Sequence, residues 1–227
     1  MKTSEIFKLT LPVMMGYVPL GVAFGILAAS SGLSLAQTMA ISFFVYSGTA
    51  EFLLIAFIVA GESLLGIFLT LFLLGFRHFF YTLSLLGELR GLNLLRFYAI
   101  YAMSDESFAL LSTYKNDISR NVTRAQKSFH YALLCFLNQS YWILGGVFGF
   151  IFQKKVAFDY SGIEFSLNAL FIVLAYDSYR QNPNKKLLLI ALAVGLFGFL
   201  MIDKYYMLFA CLSLAMCVLL LLGRRYV

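Results

Sequence analysis

Too few charged residues are present to coat a soluble protein of this size. Lys, Arg, Asp and Glu make up 12% of the 227 residues and apolar types 61%, whereas a soluble domain carries about 25% charged residues. The surface must therefore face lipid. Cysteine is scarce: Cys135, Cys211 and Cys217 all lie in apolar runs. An odd count without ligand spacing argues against a disulfide framework or a zinc site, and favours lipid-facing or packing residues. The two histidines, His78 and His130, form no His-Glu-x-x-His pair, so a membrane-embedded enzyme has no evident metal or nucleophile constellation. No Gly-x-x-x-x-Gly-Lys-Ser/Thr loop is present to couple ATP, and no cofactor is called for. The apolar residues come in continuous runs rather than alternating, which disfavours a β-barrel. A net charge of +6 comes from basic residues between apolar runs, not from a basic domain, so nucleic acid is not the expected partner.

The expected fold is all-α and polytopic, a single transmembrane transporter domain over residues 1–227. A span needs about 20 apolar residues. Eight segments qualify, at roughly Leu9–Ser30, Ala36–Ala60, Ser63–Gly87, Phe97–Tyr114, Phe129–Phe152, Ile163–Tyr176, Leu187–Ile202 and Tyr205–Leu222. The sixth and seventh are short, which leaves seven spans or a re-entrant segment open. The first segment is long, carries Pro12 and Pro19, and precedes further spans, so it reads as a retained helix rather than a cleaved leader. With eight spans and a cytoplasmic N-terminus, eleven of the seventeen Lys and Arg fall inside, among them Lys115, Arg124 and Lys127, and five outside, among them Arg90 and Arg96. That excess predicts both termini in the cytoplasm.

Polar residues inside these runs carry the functional signal, because a charge at the bilayer centre costs about 2.5–3.5 kcal/mol on insertion scales. Glu51, Arg77, Asp105 and Glu106 stand out. In the first segment, Gly16-Tyr17-Val18-Pro19-Leu20-Gly21 predicts a kinked or interrupted helix. Broken helices offer dipole ends that bind charged groups; an ordinary kink is the alternative. In the second, Ser47-Gly48-Thr49-Ala50-Glu51 predicts a break lining a cavity, since packing alone needs no carboxylate. Glu51 would carry a proton or hold an ammonium group.

Helical spacing in the third segment puts Arg77, Tyr81, Ser84 and Glu88 on one face. Arg77 either pairs with Glu51, Asp105 or Glu106, or grips a substrate carboxylate with its planar fork. His78 is either a proton shuttle or a hydrogen-bonded packing residue. Asp105 and Glu106 lie near the middle of the fourth segment and point about 100° apart, so one can face Arg77 and the other the pathway; a shallower, interfacial placement is the alternative. Asn138, Gln139, Ser140 and Trp142, with Asn168, read as interhelical hydrogen-bonding groups, and Glu164, Asp177 and Asp203 as interfacial. The substrate-binding candidates are Tyr17, Pro19, Ser47, Thr49, Glu51, Arg77 and Tyr81. The ion-coupling candidates are Glu51, His78, Asp105 and Glu106.

These patches resemble the AzlC family of branched-chain amino acid permeases. The resemblance rests on Gly16–Gly21 with Ala23-Phe24-Gly25, on Ser47–Phe52, on Arg77-His78 with Tyr81 and Ser84-Leu85, and on Ser104–Ala109, with weaker matches at Trp142–Gly149 and Phe165–Leu174. It implies a multi-pass protein of the cell inner membrane that exports a small amino acid, branched-chain or related, with protons as the expected coupling ion. It also implies a small AzlD-type membrane subunit as partner. Glu51 stands where the family usually has Gln, and Gly75 where it often has Asn. A carboxylate at Glu51 would favour a more cationic substrate or alter ion coupling. A channel, or a non-transporting subunit of a membrane complex, is the alternative to a transporter.

Overall fold

The computed structural model describes residues 3–119, 122–156 and 183–202, with scattered positions in 172–180 and 207–218. Among the described residues every regular element is a helix: α1 (Thr3–Ser30), α2 (Leu35–Phe44), α3 (Gly48–Ala60), α4 (Leu64–Ser84), α5 (Leu86–Arg90), α6 (Leu95–Tyr101), α7 (Asp105–Ser119), α8 (Arg124–Lys155) and α9 (Lys185–Met201). Three of them, α1, α4 and α8, are long and apolar enough to cross a membrane. The chain forms two compact units, one of residues 1–56 and 75–159 and one of 57–74 and 160–227. In the second unit, a Cβ on Gly198 of α9 would collide with the Cys211 sulfur. The sixth and eighth expected segments fall largely outside the described residues, as do Asn168, Glu164, Asp177 and Asp203.

The first unit is built on α1 and α8. Both helices put glycine at their crossing, so that backbone meets backbone. A Cβ on Gly21 would stand 2.7 Å from the Trp142 carbonyl oxygen, and one on Gly145 2.7 Å from that of Val18. Gly25 and Gly149 are tighter still, against Gly146 and Val22. Contact advances along both helices together, from Gly21 at Gly145 to Gly25 at Phe150, so the two run parallel. Pro12 and Pro19 lie inside α1, which runs unbroken from Thr3 to Ser30, so of the kinked or interrupted helix expected, the interruption is absent. A proline removes one donor, but it does not end a helix whose flank is held against a neighbour.

The second expected span is broken. α2 starts at a capping box, Ser34 with Gln37, and stops at Phe44. Residues 45–47 leave the helical path, Tyr46 with φ of 40°, and α3 begins at Gly48. Ser42 donates to Glu51 over 2.9 Å. Nine residues continued along one axis would separate them by about 13 Å, so the chain turns at the break and brings the first turn of α3 to Ser42.

The fourth expected span is not one helix: it divides into α6 and α7, which run in opposite directions beside α8. Along α6, Asn93 N–H donates to Ser128 and the Cys135 thiol to the Ala99 carbonyl, so α6 climbs with α8. Along α7, Ser107 accepts from Asn138, while Ile118 and Ser119 lie beside His130 and Tyr131, so α7 descends. The pair is a re-entrant hairpin with its tip at residues 102–104. This overturns the placement of Arg90 and Arg96 opposite Arg124 and Lys127. Arg124 donates to the Leu92 carbonyl, and Lys127 pairs with Glu88. All of these groups gather at the end where α8 begins. Glu88, expected on the Arg77 face, lies in α5 beyond the end of α4 at Ser84 and pairs with Lys127.

Candidate substrate and ion site at two facing helix breaks

The end of α2 and the α6–α7 tip meet near the middle of α8. α8 has 32 residues, and its midpoint falls beside Gln139, about 24 Å from either end. Gln139 joins the two: it accepts from Tyr98 of α6 at 2.6 Å and donates to the Phe43 carbonyl of α2 at 3.3 Å. Tyr101 of α6 donates to the same carbonyl. The break in α2 leaves its last carbonyls without helical donors, and these side chains serve one of them.

Glu51 sits in the first turn of α3 and is 0% exposed. Its Oε2 accepts from Ser42 at 2.9 Å and from Trp142 Nε1 at 3.0 Å, while its Oε1 has no partner. Among the described residues no cation lies within ion-pair distance of it. Gly48 lets the Trp142 ring approach, since a Cβ there would touch Cη2 at 3.0 Å. The indole is held between Tyr17, edge-on at 5.6 Å, and Phe24, stacked at 6.3 Å. Trp142 is thereby fixed to aim its donor at the carboxyl.

Asp105 and Glu106 occupy the first turn of α7, not the middle of a helix. Ser104 caps that turn, accepting from Ser107 N–H at 3.2 Å, and acids in a first turn are favoured by the positive helix end. The two acids part company, as their spacing allowed. Asp105 pairs with Arg77 at 2.8 Å and lies 4.0 Å from His78 Nε2. His78 Nδ1 is 3.0 Å from the Gly75 carbonyl, so Nδ1 carries the proton and donates, and Nε2 faces the acid. Glu106 instead accepts from the Tyr17 hydroxyl. Tyr81 stacks on Phe108 at 4.5 Å and flanks the pair.

Ser47 and Thr49 are half-buried at the α2–α3 break, whereas Pro19 lies on the exposed face of α1, away from the other candidates. Asn138, Gln139 and Trp142 make interhelical bonds, while Ser140 bonds back to the Phe136 carbonyl of its own helix. Sequence reasoning passed over Tyr46. A tyrosine in an apolar run looks like an anchor, and only its positive φ and buried hydroxyl set it apart.

Residues 12–156, which hold both breaks, match the family model described as AzlC protein. The chain belongs to the AzlC family. It is 34% identical over 177 residues to the Bacillus subtilis branched-chain amino acid transport protein AzlC, covering 78% of this chain and 67% of that one. A Helicobacter pylori J99 membrane protein is 30% identical over 222 residues, 98% of this chain and 95% of its own. The Escherichia coli inner membrane protein YgaZ is 28% identical over 183 residues, 78% and 73% of the two chains. No solved structure matches. This AzlC chain is thus a membrane protein homologous to a branched-chain amino acid transport protein.

Proposed function

We propose that this AzlC chain is a secondary transporter that exports a branched-chain or related amino acid across the inner membrane, coupled to protons and assisted by a small AzlD-type subunit. The observation that carries the reading is the pair of facing breaks, each followed by an acid in the first turn of the returning helix. A transporter needs polar backbone at membrane depth where it lines a cavity. The Gly48, Thr49 and Ala50 amides begin α3 and have no carbonyl one turn back within that helix; they suit the substrate carboxylate. Glu51 suits the coupled proton, because a proton on Oε1 cancels a charge that has no counter-cation. Arg77 and Asp105 hold the α4 and α7 side of the site together.

The distribution of basic residues supports an orientation. In the first unit Arg90, Arg96, Arg124 and Lys127 lie at the end where α8 begins, and Lys154 and Lys155 at the other. The basic end reads as cytoplasmic, and α1, parallel to α8, begins towards it. The decisive experiment is reconstitution into proteoliposomes. Leucine or valine movement that saturates and responds to an imposed pH gradient is expected. Ohmic conductance in a planar bilayer without saturable exchange would instead make the protein a channel.

A further inference from the structure

We infer that Glu106, with the hydroxyls of Tyr17 and Tyr46 and with Ser104, forms the pocket for the primary ammonium group of the transported amino acid. The inference rests on the transport reading above and assigns one end of its substrate. Four observations meet here.

Arg77 is committed to Asp105 at 2.8 Å, which leaves Glu106 as the acid of that pair without a cation; among the described residues no Lys, Arg or His lies within ion-pair distance of it. Glu106 is exposed, so its carboxylate is open to a ligand, and its hydrogen bond comes from the neutral Tyr17 hydroxyl.

Tyr46 supplies the second. Its side chain is 6% exposed, its hydroxyl has no hydrogen-bond partner, and it faces Ser104 and Glu106. A buried hydroxyl without a partner is destabilising. The third is backbone strain at the same residue: φ of 40° is a conformation that a bulky side chain adopts only at a cost. The break thus turns this side chain towards Ser104 and Glu106 at the α7 tip.

The fourth is composition. Tyr17, Tyr46 and Ser104 offer oxygen atoms from three separate elements around one carboxylate. An ammonium group has three donors and no acceptor, so one carboxylate and two or three hydroxyl oxygens match its needs. A guanidinium would need a planar fork, and an anion would need donors with no acid beside them.

The test uses purified full-length protein in detergent, with the thermal midpoint read as a function of ligand. Leucine is the probe, and N-acetylleucine, which keeps the side chain and carboxylate but has no ammonium, is the control. Leucine is expected to raise the wild-type midpoint and N-acetylleucine to leave it unmoved. Glu106→Gln is expected to weaken leucine about tenfold to a hundredfold, the loss of a charge-assisted contact. Tyr46→Phe removes one oxygen and keeps the packing, and about threefold to tenfold is expected. Should Glu106→Gln fail to fold, Tyr46→Phe decides. Equal response to N-acetylleucine in the wild type, or unchanged leucine affinity in the folded variants, overturns the ammonium pocket and leaves the transport reading standing. No response of the wild type to any amino acid overturns both.

Discussion

Replacing Gly25 with alanine is the sharpest probe of the α1–α8 seam, because the added methyl meets only backbone. Its Cβ would stand 2.7 Å from the Phe150 nitrogen and 2.8 Å from the Gly146 carbonyl carbon, with the Gly146 oxygen nearer still. Ordinary contact begins at 3.4 Å. No rotamer change relieves the clash, so the helices must separate by roughly 1 Å, in an interior packed as densely as a crystal. A gap of that size forfeits about a quarter to a half of the dispersion well for each contact along the seam. Overpacking of this kind costs about 1–3 kcal/mol, and it offsets the roughly 1 kcal/mol by which alanine is the better helix former.

Gly16 and Gly75 supply the control. Both are helical, and a Cβ on either would meet nothing within 4 Å, so alanine there is expected to be neutral or stabilising by up to about 1 kcal/mol. Thermal unfolding in detergent, read by fluorescence and size exclusion, separates the cases: Gly25→Ala should lower the midpoint by several degrees, at about 2–4 °C per kcal/mol for a chain of this length. A Gly25→Ala midpoint equal to that of Gly16→Ala would refute the close approach of α1 and α8.

Three further outcomes follow from the site. Glu51→Gln keeps an oxygen for Ser42 and Trp142 while removing the charge, so the variant should fold with unchanged stability, retain leucine exchange, and lose stimulation by a pH gradient; stimulation at the wild-type level would remove Glu51 from coupling. Arg77→Ala and Asp105→Ala should each impair transport, with a double-mutant coupling energy of about 0.5–1 kcal/mol, small because both side chains are more than a third exposed; strict additivity would deny the pair. Single cysteines at Gly91 and Asn116, in a background without Cys135, Cys211 and Cys217, should react with an impermeant maleimide from the same side, since α6 and α7 return to one end; labelling from opposite sides would restore the fourth span.

The long helices were legible because runs such as 64–84 and 124–155 leave no other way to satisfy backbone in lipid. The α2–α3 break was legible too, in Ser47-Gly48-Thr49 beside a carboxylate. The α6–α7 break carried a fainter sign. Ala102-Met103-Ser104 has neither glycine nor proline, but a serine followed by two acids is a helix start, and Ser104 does cap α7. That the chain then turns back was not legible. Folding back is fixed by distant partners, Ser128, Cys135 and Asn138 on α8, and an apolar run of this length suits a span as well as a hairpin. The pairing of Arg77 with Asp105 was one of three the spacing allowed, and only the position of α7 selects it.

The distribution of contact types bears on which parts of this AzlC protein can move. α1 and α8 touch through backbone at Gly21, Gly25, Gly145 and Gly149, and sliding one past the other would drive carbonyl oxygens into α-carbons. The broken segments are attached differently. α6 meets α2 through Tyr101 and Gln139, α7 meets α8 through Asn138 and Ser107, and α7 meets α1 through Tyr17 and Glu106. Each of these is a side-chain hydrogen bond, which water or a polar substrate can replace at a net difference of about 1 kcal/mol. A cycle that opens the site first to one side and then to the other therefore meets its lowest resistance if the glycine seam stays closed and the broken segments exchange their polar contacts. The acids lie where that exchange would occur: Glu51, Asp105 and Glu106 all stand in the first turn after a break, so a shift of either broken segment moves a charged or protonated group relative to α1 and α8.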